Sequence, residues 1–228
     1  MLIKLQNYSN YILKNIDLTI NNNLVILGSN GAGKSTLAKI LSGVIKSDSV
    51  YIDNLNLNKI KLNKKSSIIN YIPPNLDIFD KYITIRDYLE LSNISNSIDI
   101  QDITDRLNIS YLLNKSSYSS GEAQLILVAS ALIHNAKITI FDEPTANLEP
   151  KRVVEIFDIL KSDNLESKII ITHDINLAHK LGYDILYLRD GNIEFNGSSK
   201  EFFRDDNLYN IFANSIKRVG DIFVVNLI

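Results

Sequence analysis

A chain of 228 residues, 45% hydrophobic and 22% charged, has an ordinary globular balance and is long enough for one sizeable domain or two small ones. Its formal net charge of −2 argues against a strongly basic nucleic-acid binder, and the absence of cysteine excludes disulfides, thiolate metal sites and a cysteine nucleophile. The N-terminal MLIKLQNYSN lacks the apolar core of a signal peptide, and the longest apolar-looking stretch, Leu125 to Ile133, is far short of the roughly 20 residues that span a bilayer. Membrane association is therefore expected through a partner only.

In chain order, Leu5 to Ile20 reads as strand-forming. Leu24 to Leu27 is an apolar run ending in a glycine loop, which predicts a buried strand, and Lys34 to Leu41 reads as a helix. Val50 to Ile52 reads as a strand. The basic cluster Lys59, Lys61, Lys64 and Lys65 is expected to be a solvated strand edge or turn, not a polyanion site. Ile68 to Ile72 predicts a strand stopped by Pro73 and Pro74. Helices alone follow: Thr84 to Ser92, Ile100 to Leu107 and Gly121 to Ile133. Lys137 to Phe141 and Lys168 to Thr172 are β-branched strands with a helix, Lys151 to Lys161, between them. Asp184 to Arg189 and Asn192 to Phe195 form a hairpin through Asp190-Gly191. Strands alternating with helices imply a mostly parallel sheet covered on both faces, an α/β fold, with a helical subdomain inserted in the middle.

Gly28-Ser29-Asn30-Gly31-Ala32-Gly33-Lys34-Ser35 matches G-x-x-x-x-G-K-[ST], a phosphate-binding loop. Its glycines let successive N–H groups point at phosphate oxygens, and the following helix offers its positive end to the same anion. Lys34 reaches the β- and γ-phosphates, the Ser35 hydroxyl is a magnesium ligand, and Thr36 contacts the α-phosphate. A chance match in a chain this long is on the order of 1%, and the strand-loop-helix context lowers it further.

A second strand ends in Asp142-Glu143, which places two carboxylates at the carboxyl edge of the sheet, where open α/β folds bind ligands. Asp142 suits magnesium, either directly or through its water shell. Glu143 suits a general base acting on the attacking water, although both residues could merely cap the next helix. His173 follows another apolar strand and is expected at the same edge; His134 and His179 read as structural. Ser119-Ser120-Gly121-Glu122 opens a long helix. It is a capping box by one reading and a phosphate contact through the same N–H groups by the other.

Together these motifs resemble the nucleotide-binding domain of ABC ATPases across nearly the whole chain. The Walker A loop falls at Gly28 to Thr36, the signature at Ser119 to Glu122 with Gln124, Walker B at Ile138 to Asp142 with Glu143, the D-loop at Ala146-Asn147-Leu148-Glu149, and the switch histidine at His173. Tyr8 lies about where the family stacks an aromatic ring on adenine, with Tyr11 as the nearby alternative. The resemblance implies a P-loop NTPase (RecA-like) core with an N-terminal antiparallel β-subdomain. Residues 1–74 and 136–228 would form the core with that β-subdomain, and residues 75–135 the helical subdomain. It implies ATP as substrate, Mg2+ as cofactor and a head-to-tail homodimer, or a dimer with a second ATPase subunit. Ser119 to Glu122 of one chain would then contact ATP held by the other.

Departures from the family pattern are local. Pro74 stands where a glutamine is usual, and Asn75, one residue on, is the nearest amide that could replace it at the metal. Glu149 replaces the usual D-loop aspartate, and Tyr118 and Ser120 replace a leucine and a glycine of the signature. Asn21-Asn22-Asn23 replaces a glycine-containing turn, on the expectation that asparagine tolerates a left-handed conformation there.

His173-Asp174-Ile175-Asn176-Leu177-Ala178 is similar to a run in ATPases serving iron–siderophore, haem and cobalamin importers. That likeness implies a separate integral-membrane permease and, indirectly, a substrate-binding protein. The chain would then be peripheral on the inner face of the membrane. The permease contact is expected beside Pro74 to Arg86, with Ile78, Phe79 and Tyr82 either contacting it or packing inside the helical subdomain. A soluble ABC ATPase of cofactor or iron–sulfur assembly and a nucleotide-regulated interaction module are the alternatives, the latter motivated by Pro74.

Overall fold

Simple alternation builds the first sheet. Strand β1 (Ile3–Tyr8) buries Ile3 and Leu5, and β2 (Ile16–Ile20) buries Ile16, Leu18 and Ile20 while exposing Asp17 and Thr19. Strand β3 (Leu24–Gly28) is buried at every position, the mark of a central strand covered on both faces. Helix α1 (Lys34–Leu41) follows it, then β4 (Val50–Ile52), β5 (Leu55–Asn56), α2 (Leu62–Ile68) and β6 (Ile69–Ile72). The computed structural model describes residues 1–78, 82–94, 97–146, 148–162 and 164–227.

Three helices come next: α3 (Ile85–Ser92), α4 (Ile100–Arg106) and α5 (Ser120–His134). The α/β alternation then resumes with β7 (Ile138–Asp142), α6 (Pro150–Lys161), β8 (Ser167–Ile171), α7 (Ile175–Leu181), β9 (Asp184–Arg189) and β10 (Asn192–Gly197). Helices α8 (Ser199–Phe202) and α9 (Asp205–Phe212) precede a terminal hairpin of β11 (Ile216–Val219) and β12 (Ile222–Val225). No helix among the described residues is long and apolar enough to cross a membrane.

The strands form an antiparallel sheet in the order β2-β1-β4-β5 and a six-stranded sheet in the order β10-β9-β3-β8-β7-β6. The second sheet is parallel throughout except for the β9–β10 hairpin at its edge. Its two faces feed two cores. Leu24, Ile26, Ile138, Ile140 and Ile169 pack with α1 and the antiparallel sheet. Val25, Leu27, Phe141 and Ile170 point the other way, into the helices, among them the nearly all-buried α5. Because β3, β6, β7 and β8 run the same way, Gly28, Ile72, Asp142 and Ile171 all end at one edge. That edge is where the loops carrying chemistry must emerge.

Several elements differ from the sequence reading. Leu5 to Ile20 is two strands, separated by a turn in which Asn10 Oδ1 accepts the N–H groups of Ile12 and Leu13. The lysine cluster, expected as a strand edge or turn, is a turn at Lys59 only and otherwise helical. Lys59 closes a 3-10 turn, Lys61 caps α2, and Lys64 and Lys65 lie in that helix, with Lys65 Nζ donating to the Gly43 carbonyl at 3.3 Å. Helix α2 buries only Ile68, so it leaves no apolar periodicity to read. None of Asn21, Asn22 and Asn23 takes a positive φ, whereas Asn7, Asn15, Asn54, Asn108 and Asn135 do. The Asn21–Asn23 turn is held by bonds to neighbouring strands instead: Asn22 Nδ2 donates to Asp184 Oδ2, and Asn23 Oδ1 accepts from the Lys168 N–H.

The hairpin at Asp190-Gly191 forms as expected, with a second role. Gly191 has φ +81°, and a Cβ there would sit 1.8 Å from the Ile12 carbonyl oxygen, while its own carbonyl accepts from Lys14 N–H. Gly191→Ala is therefore expected to cost about 3 kcal/mol through strain alone. That lowers the melting temperature by roughly 6–12 °C in a thermal scan. An unchanged melting point would mean that this contact is not held in solution.

Candidate functional site

The phosphate-binding loop spans the gap between buried β3 and α1. Gly33 caps the helix with φ +101°, and a Cβ there would meet Leu13 Cδ2 at 2.7 Å and Ile12 Cγ2 at 2.9 Å. Helix α1 has no side-chain cap and no acid in its first turn, so its leading N–H groups are left for an anion. Ile12, Asn30, Gly31, Gly33, Lys34, Ser35, Thr36 and Glu143 line one cleft. Gly28 ends the strand below it, Ser29 begins the loop, and Ala32 is buried beneath.

Lys34 is buried at 7% exposure, and its Nζ donates to the carbonyls of Gly28 at 2.8 Å and Ser29 at 3.0 Å. Burial lowers its pKa, and the nearby charges of Glu143 and Asp142 oppose that shift. The ammonium is thus folded back on its own loop, with carboxylates across the cleft.

Asp142 ends β7 at 1% exposure. Tyr71, on the neighbouring β6, donates its hydroxyl to Asp142 Oδ2 at 2.8 Å, while Asp142 Oδ1 is buried with no hydrogen-bond partner. An orphaned buried carboxylate oxygen costs free energy unless something binds it, and a hard divalent cation suits it. Among the described residues no group of three or more His, Cys, Asp or Glu side chains could hold a metal. Magnesium does not need one: it keeps several waters and takes the rest from phosphate and one or two protein oxygens. Asp142 and Ser35 fit it.

Glu143 follows with φ +53°, a left-handed backbone rare for this residue. Its N–H donates to the Ile171 carbonyl at 2.9 Å, which ties the turn to β8. Its Oε2 lies 3.0 Å from His173 Nδ1. Glu143 is largely buried and His173 mostly exposed, at 19% and 68% of the side chain. Asp174, the next residue, caps α7, which explains why the histidine sits at the strand end and not inside the helix.

Ser119 caps α5 in a full capping box: its hydroxyl accepts the Glu122 N–H, and Glu122 Oε2 accepts the Ser119 N–H at 2.7 Å. Tyr111 donates to the other oxygen of Glu122 at 2.7 Å. Ser119, Ser120, Gly121 and Glu122 line a separate pocket with Leu148, Glu149 and Arg152. It shares no residue with the cleft over the loop. Asn147 of the Ala146 to Glu149 segment lies outside the described residues, as does Phe79.

Other expected residues fall elsewhere. Tyr8 is partly buried against the inner core, with its oxygen accepting from Asn10 Nδ2 at 3.2 Å, and Tyr11 is 91% exposed. Ile12 is the apolar residue that lines the cleft. Asn75 is exposed; Pro74 presents only its carbonyl, which accepts from the buried Gln124 Nε2 at 2.5 Å. Ile78 packs against the helical core, and Tyr82 is exposed. His134 Nε2 bonds to the Ser66 carbonyl, and His179 stacks edge-on against Phe203 and Phe223, so both are structural. A groove of 660 Å³ beside Tyr51, Lys59 and Lys64 is lined by no acid or histidine and lies apart from this chemistry. Sequence reasoning missed Ile12, Tyr71 and Tyr111. No local motif marks them, because each acts across a long stretch of chain or through a turn.

The sequence profile of a family described as ABC transporter matches residues 13–146. An uncharacterized ABC transporter ATP-binding protein of Methanocaldococcus jannaschii is 34% identical over 227 residues, covering 90% of this chain and 87% of that protein. The energy-coupling factor transporter ATP-binding protein EcfA1 of Mesomycoplasma hyopneumoniae is 35% identical over 218 residues, covering 89% and 80%. Among solved structures, a dimeric post-hydrolysis state of an ATP-binding cassette bound to ADP and Pi superposes with a TM-score of 0.75. It is 26% identical and covers 86% of this chain and 98% of that one.

Proposed function

We propose, from the premise that the chain belongs to the ABC transporter ATP-binding family, that it hydrolyses ATP with magnesium and turns the energy into transport through a separate membrane subunit. The observation that carries this is the convergence of Lys34, Asp142, Glu143 and His173 on the carboxyl edge of one sheet, with Glu143 and His173 3.0 Å apart.

In this reading the loop N–H groups and Lys34 bind the triphosphate, the lysine exchanging its two carbonyl partners for phosphate oxygens. Magnesium, held by Ser35 and Asp142, supplies charge neutralisation at the β- and γ-phosphates when bound. Glu143 takes a proton from the attacking water, and His173 holds that carboxylate in place. Ser119, Ser120, Gly121 and Glu122 complete the site from a second copy or a second ATPase subunit. The separation of their pocket from the loop's cleft supports that, because within one chain the two share no lining residue. Residues 75–135 act as the helical subdomain that carries this half-site. Tyr8 or Tyr11 would have to approach Ile12 to reach an adenine ring.

For cargo, we propose import of an iron–siderophore, haem or cobalamin-type chelate. What supports it is the His173 to Ala178 run, in which Asn176 clasps the Phe223 backbone of the terminal hairpin by two hydrogen bonds. This is a likeness of sequence, and the EcfA1 relative belongs to an energy-coupling factor transporter. Purification of the tagged chain from detergent-solubilised membranes is expected to bring down a polytopic membrane protein. Recovery of soluble partners alone would replace transport with an assembly ATPase. Pro74, in place of the usual glutamine, favours the second reading of a nucleotide-regulated module, which predicts negligible turnover of the intact chain.

A further inference from the structure

Strands β6 and β7 run parallel with Tyr71 opposite Ile140. Residues two apart on a strand share a face, so Asp142 lies on the same side as Ile140, one step nearer the sheet edge. A tyrosine ring is long enough to cover that step. Its hydroxyl reaches Asp142 Oδ2 at 2.8 Å, leaving Oδ1 buried and unpartnered.

A carboxylate with two free oxygens can rotate and present either to a cation. With one oxygen taken by a fixed donor, the other is preset. We propose that Tyr71 is a positioning residue for the magnesium ligand, its hydroxyl locking Asp142 so that Oδ1 alone is offered to the metal. This rests on the reading of Asp142 as a magnesium ligand and names the group that orients it. Tyr71 also stands three residues before Pro74, whose carbonyl is held by Gln124 at the start of the helix that Ser119 caps. The strand that lacks the usual glutamine side chain at its end therefore still touches the metal ligand, from its middle.

The test is magnesium titration of a fluorescent ADP analogue bound to the full chain, with metal-free affinity measured in EDTA. Tyr71→Phe keeps the ring and removes the donor. It is expected to raise the magnesium concentration for half-maximal response about ten-fold, the usual size of an effect on a ligand's orienting partner. Metal-free affinity should stay at the parental value, with cooperative melting retained. A variant that no longer melts cooperatively, or that loses metal-free affinity as much as the magnesium response, would make Tyr71 a core residue and overturn the proposal. A parent that responds to magnesium beside a variant that responds identically overturns the role of Tyr71 alone. A parent that binds the analogue but ignores magnesium overturns the reading of Asp142 as a magnesium ligand, and this role with it.

Discussion

Glu143→Gln is expected to lower steady-state ATP turnover by about 10²–10⁴-fold while leaving ATP binding intact, the size of effect that follows loss of a general base. The amide matches the carboxylate in shape but cannot accept the proton that water must lose. The backbone at this residue is unaffected, because its φ of +53° and its N–H bond to Ile171 do not depend on the side-chain terminus. A hydrogen bond between the amide and His173 Nδ1 remains available, so the histidine keeps its place. Phosphate release measured on parent and variant decides the matter. Parental turnover lost in the variant establishes Glu143 as the base and eliminates the regulatory reading. Turnover retained in the variant would move the base elsewhere. The variant should also hold ATP long enough for sizing chromatography to show a dimer, which in the parent would be transient.

Lys34→Ala is expected to weaken ATP binding by about a hundred-fold or more, as truncating one side of a desolvated charge pair does. Its effect on the empty protein should be small, because two contributions oppose each other. The substitution removes hydrogen bonds to the carbonyls of Gly28 and Ser29, which is destabilising. It also removes a buried ammonium whose pKa is lowered by its burial, which relieves a desolvation cost. A melting temperature near the parental value, combined with the loss of binding in calorimetry, would assign Lys34 to the ligand and not to the fold. A large fall in both would reverse that assignment. The lowered pKa sets the sign of any pH effect. The folded state releases this proton more readily than the unfolded one, so Lys34 disfavours the fold where it is charged. That penalty falls away as pH rises through the folded value.

The two strand-end carboxylates and the loop differ from the other residues in how they could be found. Gly28 to Thr36 and Asp142-Glu143 are contiguous in the chain, and each is preceded by a strand with every residue buried. Strand, loop and chemistry therefore lie within one window of sequence. His173 could be placed for the same reason, since β8 ends two residues before it. Ser119 could be read as a cap or as a phosphate contact, and in the single chain it is a cap. The phosphate reading needs another chain. Helix α2 and the terminal hairpin escaped because neither has an apolar period: α2 buries one residue, and the described part of the hairpin after Ile216 buries only Phe223.

The sequence by itself determined that this protein has a phosphate-binding loop, two carboxylates and a histidine on strand ends of an α/β sheet. Those features follow from residue type and from periods of two and 3.6, which local backbone geometry imposes. Tertiary structure alone decided which atoms meet. It set Tyr71 on Asp142 across 71 positions, Gln124 on the Pro74 carbonyl across 50, and Ile12 against the loop. It also kept the pocket of Ser119 to Glu122 apart from the cleft over Lys34. Contacts of this kind depend on strand order and register. Those are set by how two cores fill on opposite faces of one sheet, and no short window of sequence contains that information.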